Sequence, residues 1–322
     1  MSLESIAIAV ISVLVIVVLA TIGYGVYTTQ RIARRAEAAV PATGKFIDID
    51  GNRIHYVEAG EGRPILFVHG LGGTLHHFRH PLFGSLDGYR LIALDRPGAG
   101  YSTRAAGATG RLPEQAALVA AFIDRLGLDR PLLVGHSLGG MITLTVALNH
   151  PDKISGIVLL SPLTRHLDPV PPEMAPIYIR SRLKRWVMAQ TVAIPAALKY
   201  APQTLAYVFG PQPTPENYLT EGGGYLGLRP GHFYAMVTDL VALADDMPML
   251  QTRFEEIDMP AGMVFGTADR MLDWTTNGEA MRSRIRNLDL ELLEGVGHHP
   301  QYADRARVAA LIRRVADKAF SH

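Results

Sequence analysis

The chain has 322 residues, 48% apolar and 19% charged, enough to bury a large core and too apolar for a disordered or fibrous protein. Its 31 basic and 30 acidic residues leave a formal charge of +1, which provides no global field to recruit nucleic acid. Cysteine is absent, which removes disulfides, thiolate nucleophiles and cysteine-bound metals and fits a reducing compartment.

Residues 6–27 carry no charge and exceed the roughly 20 apolar positions a helix needs to cross a bilayer. A cleaved signal peptide would want a basic start, a shorter apolar run and a small-x-small site directly after it. Here the start holds only Glu4, and the nearest Ala-x-Ala, at Ala36 and Ala38, lies beyond the arginines. The expectation is a single-pass anchor with its flank over 1–30, followed by a basic linker over 31–44. Arg31, Arg34 and Arg35 follow the span, so the positive-inside rule puts the bulk of the chain on the cytoplasmic side. Tyr24 and Tyr27 suit the headgroup belt.

Residues 45–50 and 53–58 alternate apolar with polar around Asp50-Gly51-Asn52, which predicts an antiparallel hairpin. The short apolar runs at 64–69, 89–95, 131–135, 154–161, 260–266 and 288–293 read as strands buried on both faces. Helical spacing predicts helices over 113–126, 138–149, 274–285 and 303–320. The alternation implies an α/β fold with a mostly parallel sheet. Its core is expected over 45–162 and 260–322, and residues 163–259, too long for a crossover, as an inserted cap.

The cap is apolar, aromatic and Met-rich. Met174, Trp186, Tyr200, Leu205, Phe209 and Met236 are among its residues, a composition that suits an acyl chain or aromatic ester, while each of them taken singly is read as packing within the cap. Arg180, Arg182, Lys184 and Arg185 form a basic cluster suited to an anionic bilayer surface or to a solvated helix face.

Gly135-His136-Ser137-Leu138-Gly139-Gly140 follows an apolar strand and opens a helix, the context that a G-x-S-x-G nucleophile elbow requires. Small residues two before and two after the serine let the sharp turn close. A serine needs a base, and the base needs an acid to hold its tautomer. Asp269, at the end of the 260–266 strand, is the expected acid; Asp273, four residues on, is better placed as a helix cap. His298, freed to turn inward by Gly297, is the expected base, whereas Pro300 holds its neighbour His299 extended. The oxyanion is expected to meet the backbone N–H groups of Leu138, at a helix N-terminus, and of Leu71, in the loop His69-Gly70-Leu71-Gly72-Gly73. That loop has neither the Walker lysine nor G-x-G-x-x-G spacing. His76, His77 and His80 crowd one loop without a carboxylate spacing that suggests a metal, and no cofactor is expected.

Together with Asp95-Arg96-Pro97-Gly98-Ala99-Gly100-Tyr101-Ser102 and Gly266-Thr267-Ala268-Asp269, these motifs make residues 45–320 resemble the α/β-hydrolase superfamily. The resemblance implies an α/β-hydrolase fold and a serine hydrolase, with Asp95 structural. An N-terminal anchor joined to Gly-His-Ser-x-Gly-Gly is similar to the membrane-bound monoacylglycerol lipase and carboxylesterase branch, which implies a hydrophobic, lipid-like ester substrate drawn from the bilayer. Haloalkane dehalogenases and epoxide hydrolases carry aspartate at the elbow, against Ser137. Carbon–carbon bond hydrolases and haloperoxidases keep serine and stay open, as does an inactive relative that only binds a hydrophobic ligand.

Overall fold

The computed structural model describes residues 2–321. Strands β1 (Lys45–Ile49) and β2 (Asn52–Ala59) form the expected antiparallel hairpin. Asp50 and Gly51 both take positive φ at its turn, as a tight two-residue hairpin demands. The other strands are β3 (Arg63–Val68), β4 (Tyr89–Leu94), β5 (Leu132–His136), β6 (Gly156–Leu160), β7 (Ala261–Gly266) and β8 (Asp289–Leu293). One sheet contains all eight in the order β1-β2-β4-β3-β5-β6-β7-β8. From β4 to β8 every pairing is parallel. This is an α/β fold with a mostly parallel sheet flanked by helices.

The helices are α1 (Leu3–Ala39), α2 (His76–Leu82), α3 (Leu112–Arg125), α4 (Leu138–Asn149), α5 (Arg182–Thr191), α6 (Ala193–Phe209), α7 (Pro230–Leu250), α8 (Trp274–Asn277), α9 (Pro300–Ala303) and α10 (Arg305–Phe320). Alternate residues of β3 serve opposite faces, as the pleat requires. Leu66 and Val68 pack with α3 and α4, while Ile65 and Phe67 pack with α2 and α10. The helix expected over 274–285 is interrupted at Gly278: α8 ends at Asn277 and a 3-10 turn covers Glu279–Ser283. Helices α5, α6 and α7 all fall between β6 and β7, so much of the long interval is helical, and α7 bonds to the loops that leave the C-terminal ends of β3 and β4.

Helix α1 corrects the expected linker. At about 1.5 Å per residue it is about 55 Å long, well beyond a hydrocarbon core of about 30 Å. Among the described residues it is the one helix long and apolar enough to cross a membrane. Its first part is exposed throughout, but Thr29, Ala33 and Ala36 are buried against the interval helices. Thr29 Oγ1 donates to the Thr191 carbonyl at 3.1 Å, Gln30 to Gln190 at 3.2 Å, and Arg229 Nε to Glu37 at 2.7 Å. Residues 31–39 are therefore helix seated on α5 and α7, because small alanines let α1 approach closely. Linker-like backbone is confined to the few residues before β1.

Candidate active site

The elbow is shaped by sterics. Ser137 has φ 53° and ψ −120°, a conformation that side chains rarely adopt and that persists only where the surroundings enforce it. A Cβ on Gly135 would lie 2.4 Å from the Gly139 carbonyl, and one on Gly139 would lie 2.0 Å from the Val68 carbonyl. No larger residue fits either place, which is the reason for the G-x-S-x-G spacing. Ser137 N–H donates to the Leu160 carbonyl at 3.0 Å, tying the turn to β6. Leu138 opens α4, so its N–H has no intrahelical acceptor.

Asp269 follows β7 and His298 follows β8, and the structure brings them together. His298 Nδ1 lies 2.7 Å from Asp269 Oδ2, with both side chains buried. Asp269 Oδ1 accepts the N–H groups of Met271 at 2.8 Å and Leu272 at 3.1 Å. With the carboxylate as acceptor, Nδ1 carries the proton and Nε2 is the ring atom left to take one. Asp273 instead caps α8, accepting from Thr276 N–H at 2.9 Å. Gly297 acts by clearance rather than flexibility: its φ is ordinary, and a Cβ there would sit 2.1 Å from the Gly210 carbonyl.

Two histidines named in the sequence, one in the elbow motif and one as the neighbour of the expected base, take roles here that local spacing does not announce. His136, the variable position of the elbow, has Nε2 at 2.8 Å from the His298 carbonyl. It therefore donates there and fixes the backbone of the His298 loop from the serine side. His299 is buried between His136 and Phe209, with centroid separations of 4.6 Å to each and interplanar angles of 29° and 18°. His77 of α2, His136 at the end of β5 and His299 after β8 bring ring nitrogens within 4.8 Å of one another, a cluster from three distant parts of the chain that sequence spacing does not reveal. Burial pushes His77 down to about 3 and lowers His136 and His299 well below the usual imidazole range, so all three are neutral. His299 stacks on His136, while His77 meets both rings edge-on at 66° and 83°. The stack proper is His136, His299 and Phe209, with His77 set against its edge.

Ser137, His298, Leu71 and Leu138 all line one cavity of about 330 Å³. Its apolar wall includes Leu167, Met174, Ile177, Leu205, Met236 and Leu240. Of the cap residues named from composition, Met174, Leu205 and Met236 are there. Phe209 instead backs the histidine stack, and Trp186 and Tyr200 are 56% and 53% exposed. The basic cluster also divides: Arg180, Arg182 and Lys184 are exposed, whereas Arg185 is buried over the ring of Tyr234 at 5.5 Å. Asp95 is structural in its contacts, accepting from His55, Leu75 N–H and Tyr101 N–H.

This sheet order, with a serine elbow after β5 and a bonded carboxylate–imidazole pair after β7 and β8, defines an α/β hydrolase architecture. The chain belongs to the α/β hydrolase fold family, which it matches over residues 63–304. It is 38% identical over 129 residues to the "Dihydrolipoyllysine-residue acetyltransferase component of acetoin cleaving system" of Cupriavidus necator, covering 39% of this chain and 34% of that protein. The chain thus spans about a third of the length of that relative. A longer match, 28% identical, covers 84% of this chain and 94% of a "2-hydroxy-6-oxononadienedioate/2-hydroxy-6-oxononatrienedioate hydrolase" of Burkholderia vietnamiensis. Among solved structures, a bacterial "membrane phospholipase A" superposes with a TM-score of 0.69 at 21% identity, over 99% of this chain and 100% of that one, which is a likeness of fold.

Proposed function

We propose that the protein is a membrane-anchored serine hydrolase of carboxylic esters with long apolar acyl groups, monoacylglycerols being the model case. The observation that carries this reading is the opening of Ser137 and the Asp269-bound His298 onto one apolar cavity. In the proposed reaction His298 Nε2 takes the Ser137 Oγ proton as the oxygen attacks the ester carbonyl. The N–H groups of Leu71 and Leu138 receive the oxyanion. His298 then protonates the departing alcohol, leaving an acyl-serine that water cleaves by the same steps. Asp269 holds the imidazole tautomer and supports its positive charge.

The helix α1 is proposed as an uncleaved anchor, with Arg31, Arg34 and Arg35 on the cytoplasmic side. Exposed Leu183, Trp186 and Val187 on α5, beside α1, support a cap facing the bilayer. A covalent fluorophosphonate tests the chemistry: it should label the wild type and spare Ser137→Ala, in parallel with ester turnover. Labelling that ignores Ser137 would contradict the assignment.

A second reading, carbon–carbon bond hydrolysis, draws on the Burkholderia relative. Its named substrate is a dioate, which calls for cationic partners. The described lining of this cavity includes no lysine or arginine and one carboxylate, Glu173, which favours the neutral ester.

A further inference from the structure

We propose that Arg96, held by Asp239 of α7, is a positioning residue that aims the Leu71 N–H at the oxyanion, so that the seating of the cap sets one of the two donors. This rests on the hydrolase reading above. The Gly70–Leu71 peptide is planar and trans, so its carbonyl and its N–H point opposite ways. Whatever fixes the Gly70 carbonyl therefore aims the Leu71 N–H.

Three donors converge on that carbonyl. Arg96 Nη2 donates at 3.0 Å and Gly73 N–H at 3.3 Å. The third is His69. Its Nε2 accepts the Arg96 backbone N–H at 2.9 Å, so the proton sits on Nδ1, which donates to Gly70 at 2.8 Å. Arg96 Nε also donates to the His69 carbonyl at 2.9 Å, so one guanidinium grips two successive carbonyls of the loop. The fork geometry of arginine makes this possible; a lysine ammonium lacks it.

Arg96 is in turn held from the cap. Its Nη1 donates to Asp239 Oδ2 at 2.6 Å and to Gln115 at 2.6 Å, with Arg96 and Asp239 both nearly inaccessible. Two turns earlier on α7, His232 accepts the Gly100 N–H on Nδ1 at 3.1 Å, so its Nε2 carries the proton and donates to the Gly72 carbonyl at 3.1 Å. The carbonyls on both sides of Leu71 are thus tied to one cap helix. The Leu138 N–H, by contrast, is aimed by the Ser137 carbonyl, which accepts from Gly140 and Met141 of α4 at 2.9 and 3.3 Å and from Leu163 N–H just after β6 at 3.0 Å, with no hydrogen bond from α7 among the described residues. The site has one donor built into the core and one that depends on the cap.

The test uses the full chain in detergent micelles and the variants Arg96→Lys and Asp239→Asn, with Arg111→Gln as comparison. Arg111 also pairs with α7, through Asp246, but does not touch the 69–73 loop. Losing one oxyanion donor costs about 100-fold to 1000-fold in kcat, so misaiming one should cost about 10-fold to 100-fold. We expect that fall in kcat for Arg96→Lys and Asp239→Asn with KM within about twofold. Affinity for a trifluoromethyl ketone, which forms a tetrahedral oxyanion on the serine, should fall by the same factor. Arg111→Gln should keep both, whatever it does to Tm. Asp239→Asn keeps shape and an acceptor for Arg96, so it serves if Arg96→Lys does not fold. Wild-type kcat and ketone affinity in the folded variants, with turnover still dependent on Ser137, would overturn the proposal alone. An equal loss in Arg111→Gln would also overturn it, by showing general loosening of the cap. Turnover that survives Ser137→Ala would remove the hydrolase reading itself.

Discussion

The elbow and the cap are held in place by different physics. Around Ser137 the constraints are steric and local: neighbouring carbonyls leave no room for a Cβ at Gly135 or Gly139, and the sequence must declare this with glycine. The cap is joined to the core through side chains far apart in the chain, Asp239 with Arg96 and Arg104, and Asp246 with Arg111. Steric constraints leave a motif; long-range pairs leave only composition. The contrast predicts that substitutions at the elbow fail in chemistry or folding, while those in the cap tune what the elbow can do.

The largest expected effect is chemical. If Ser137, His298 and Asp269 act as a unit, Ser137→Ala and His298→Ala should each lower kcat by about 10⁶-fold, and the double variant should lose little more. Asp269→Asn should cost about 10⁴-fold with the fold intact. Ester kinetics and circular dichroism on the same samples check this. Substantial turnover by His298→Ala with His299→Ala inactive would move the base, and a comparable loss in Asp273→Asn would move the acid.

The next contrast compares two glycines. Gly139→Ala places a methyl 2.0 Å from the Val68 carbonyl, backbone that cannot yield, and should destabilise by at least about 3 kcal/mol. Gly231, in the first turn of α7, has nothing within 4 Å of its would-be Cβ. Gly231→Ala should raise stability by up to about 1 kcal/mol. Denaturant titrations of the two read the difference between a packed elbow and an open cap surface.

These differences also explain how much was legible beforehand. The strands, the elbow and the bonded pair of Asp269 and His298 follow from short-range pattern, so their positions read directly. Leu71 was legible as a place in a loop, but the apparatus around it was not, since Arg96, His232 and Asp239 meet only through tertiary packing. His136, the last residue of β5, and His299, in the loop after β8, stack across the site, and no local spacing announces that. Residues 31–39 are rich in alanine and arginine, both strong helix formers, so their helix was legible locally; what was not is its seat, which shows only when Ala33 and Ala36 are seen against the cap.

The buried histidines add a pH dependence of stability. Burial lowers His77 to about 3 and His232 to about 4, against about 6.5 in an unfolded chain. Below about pH 6.5 the unfolded state binds protons that the native state refuses, so stability is full above that pH and declines as pH falls toward 4 and then 3. Each such group contributes a slope of about 1.4 kcal/mol per pH unit within its window. Substituting Phe for His299, whose imidazole is also lowered by burial, should preserve the stack and make the decline of Tm shallower. An unchanged slope would mean that other groups control it.

The smallest effect expected in the chemistry, and the most informative about the anchor, comes from shortening α1. Because Thr29, Ala33 and Ala36 are buried against the cap, the place of the cut matters. A chain beginning at Thr28 removes the apolar, exposed part and keeps the seat on α5 and α7. It should be released from membranes and retain kcat within about twofold on a short dispersed ester, since no residue of the site is touched. A chain beginning at Val40 also removes the hydrogen bond to Thr191 and the ion pair to Arg229. It should lose about 2 kcal/mol or more of stability, and with a loosened cap its kcat should fall too. If the anchor serves to bring the cavity to its substrate, the Thr28 chain should turn over monoacylglycerol embedded in vesicles far less efficiently than full-length protein. Replacing the exposed Arg180, Arg182 and Lys184 by Gln should weaken any residual vesicle binding by about 1 kcal/mol per position. Equal turnover of embedded lipid by both chains, with no vesicle affinity in the shorter one, would leave α1 as a brace for the cap and make a small soluble ester the better substrate.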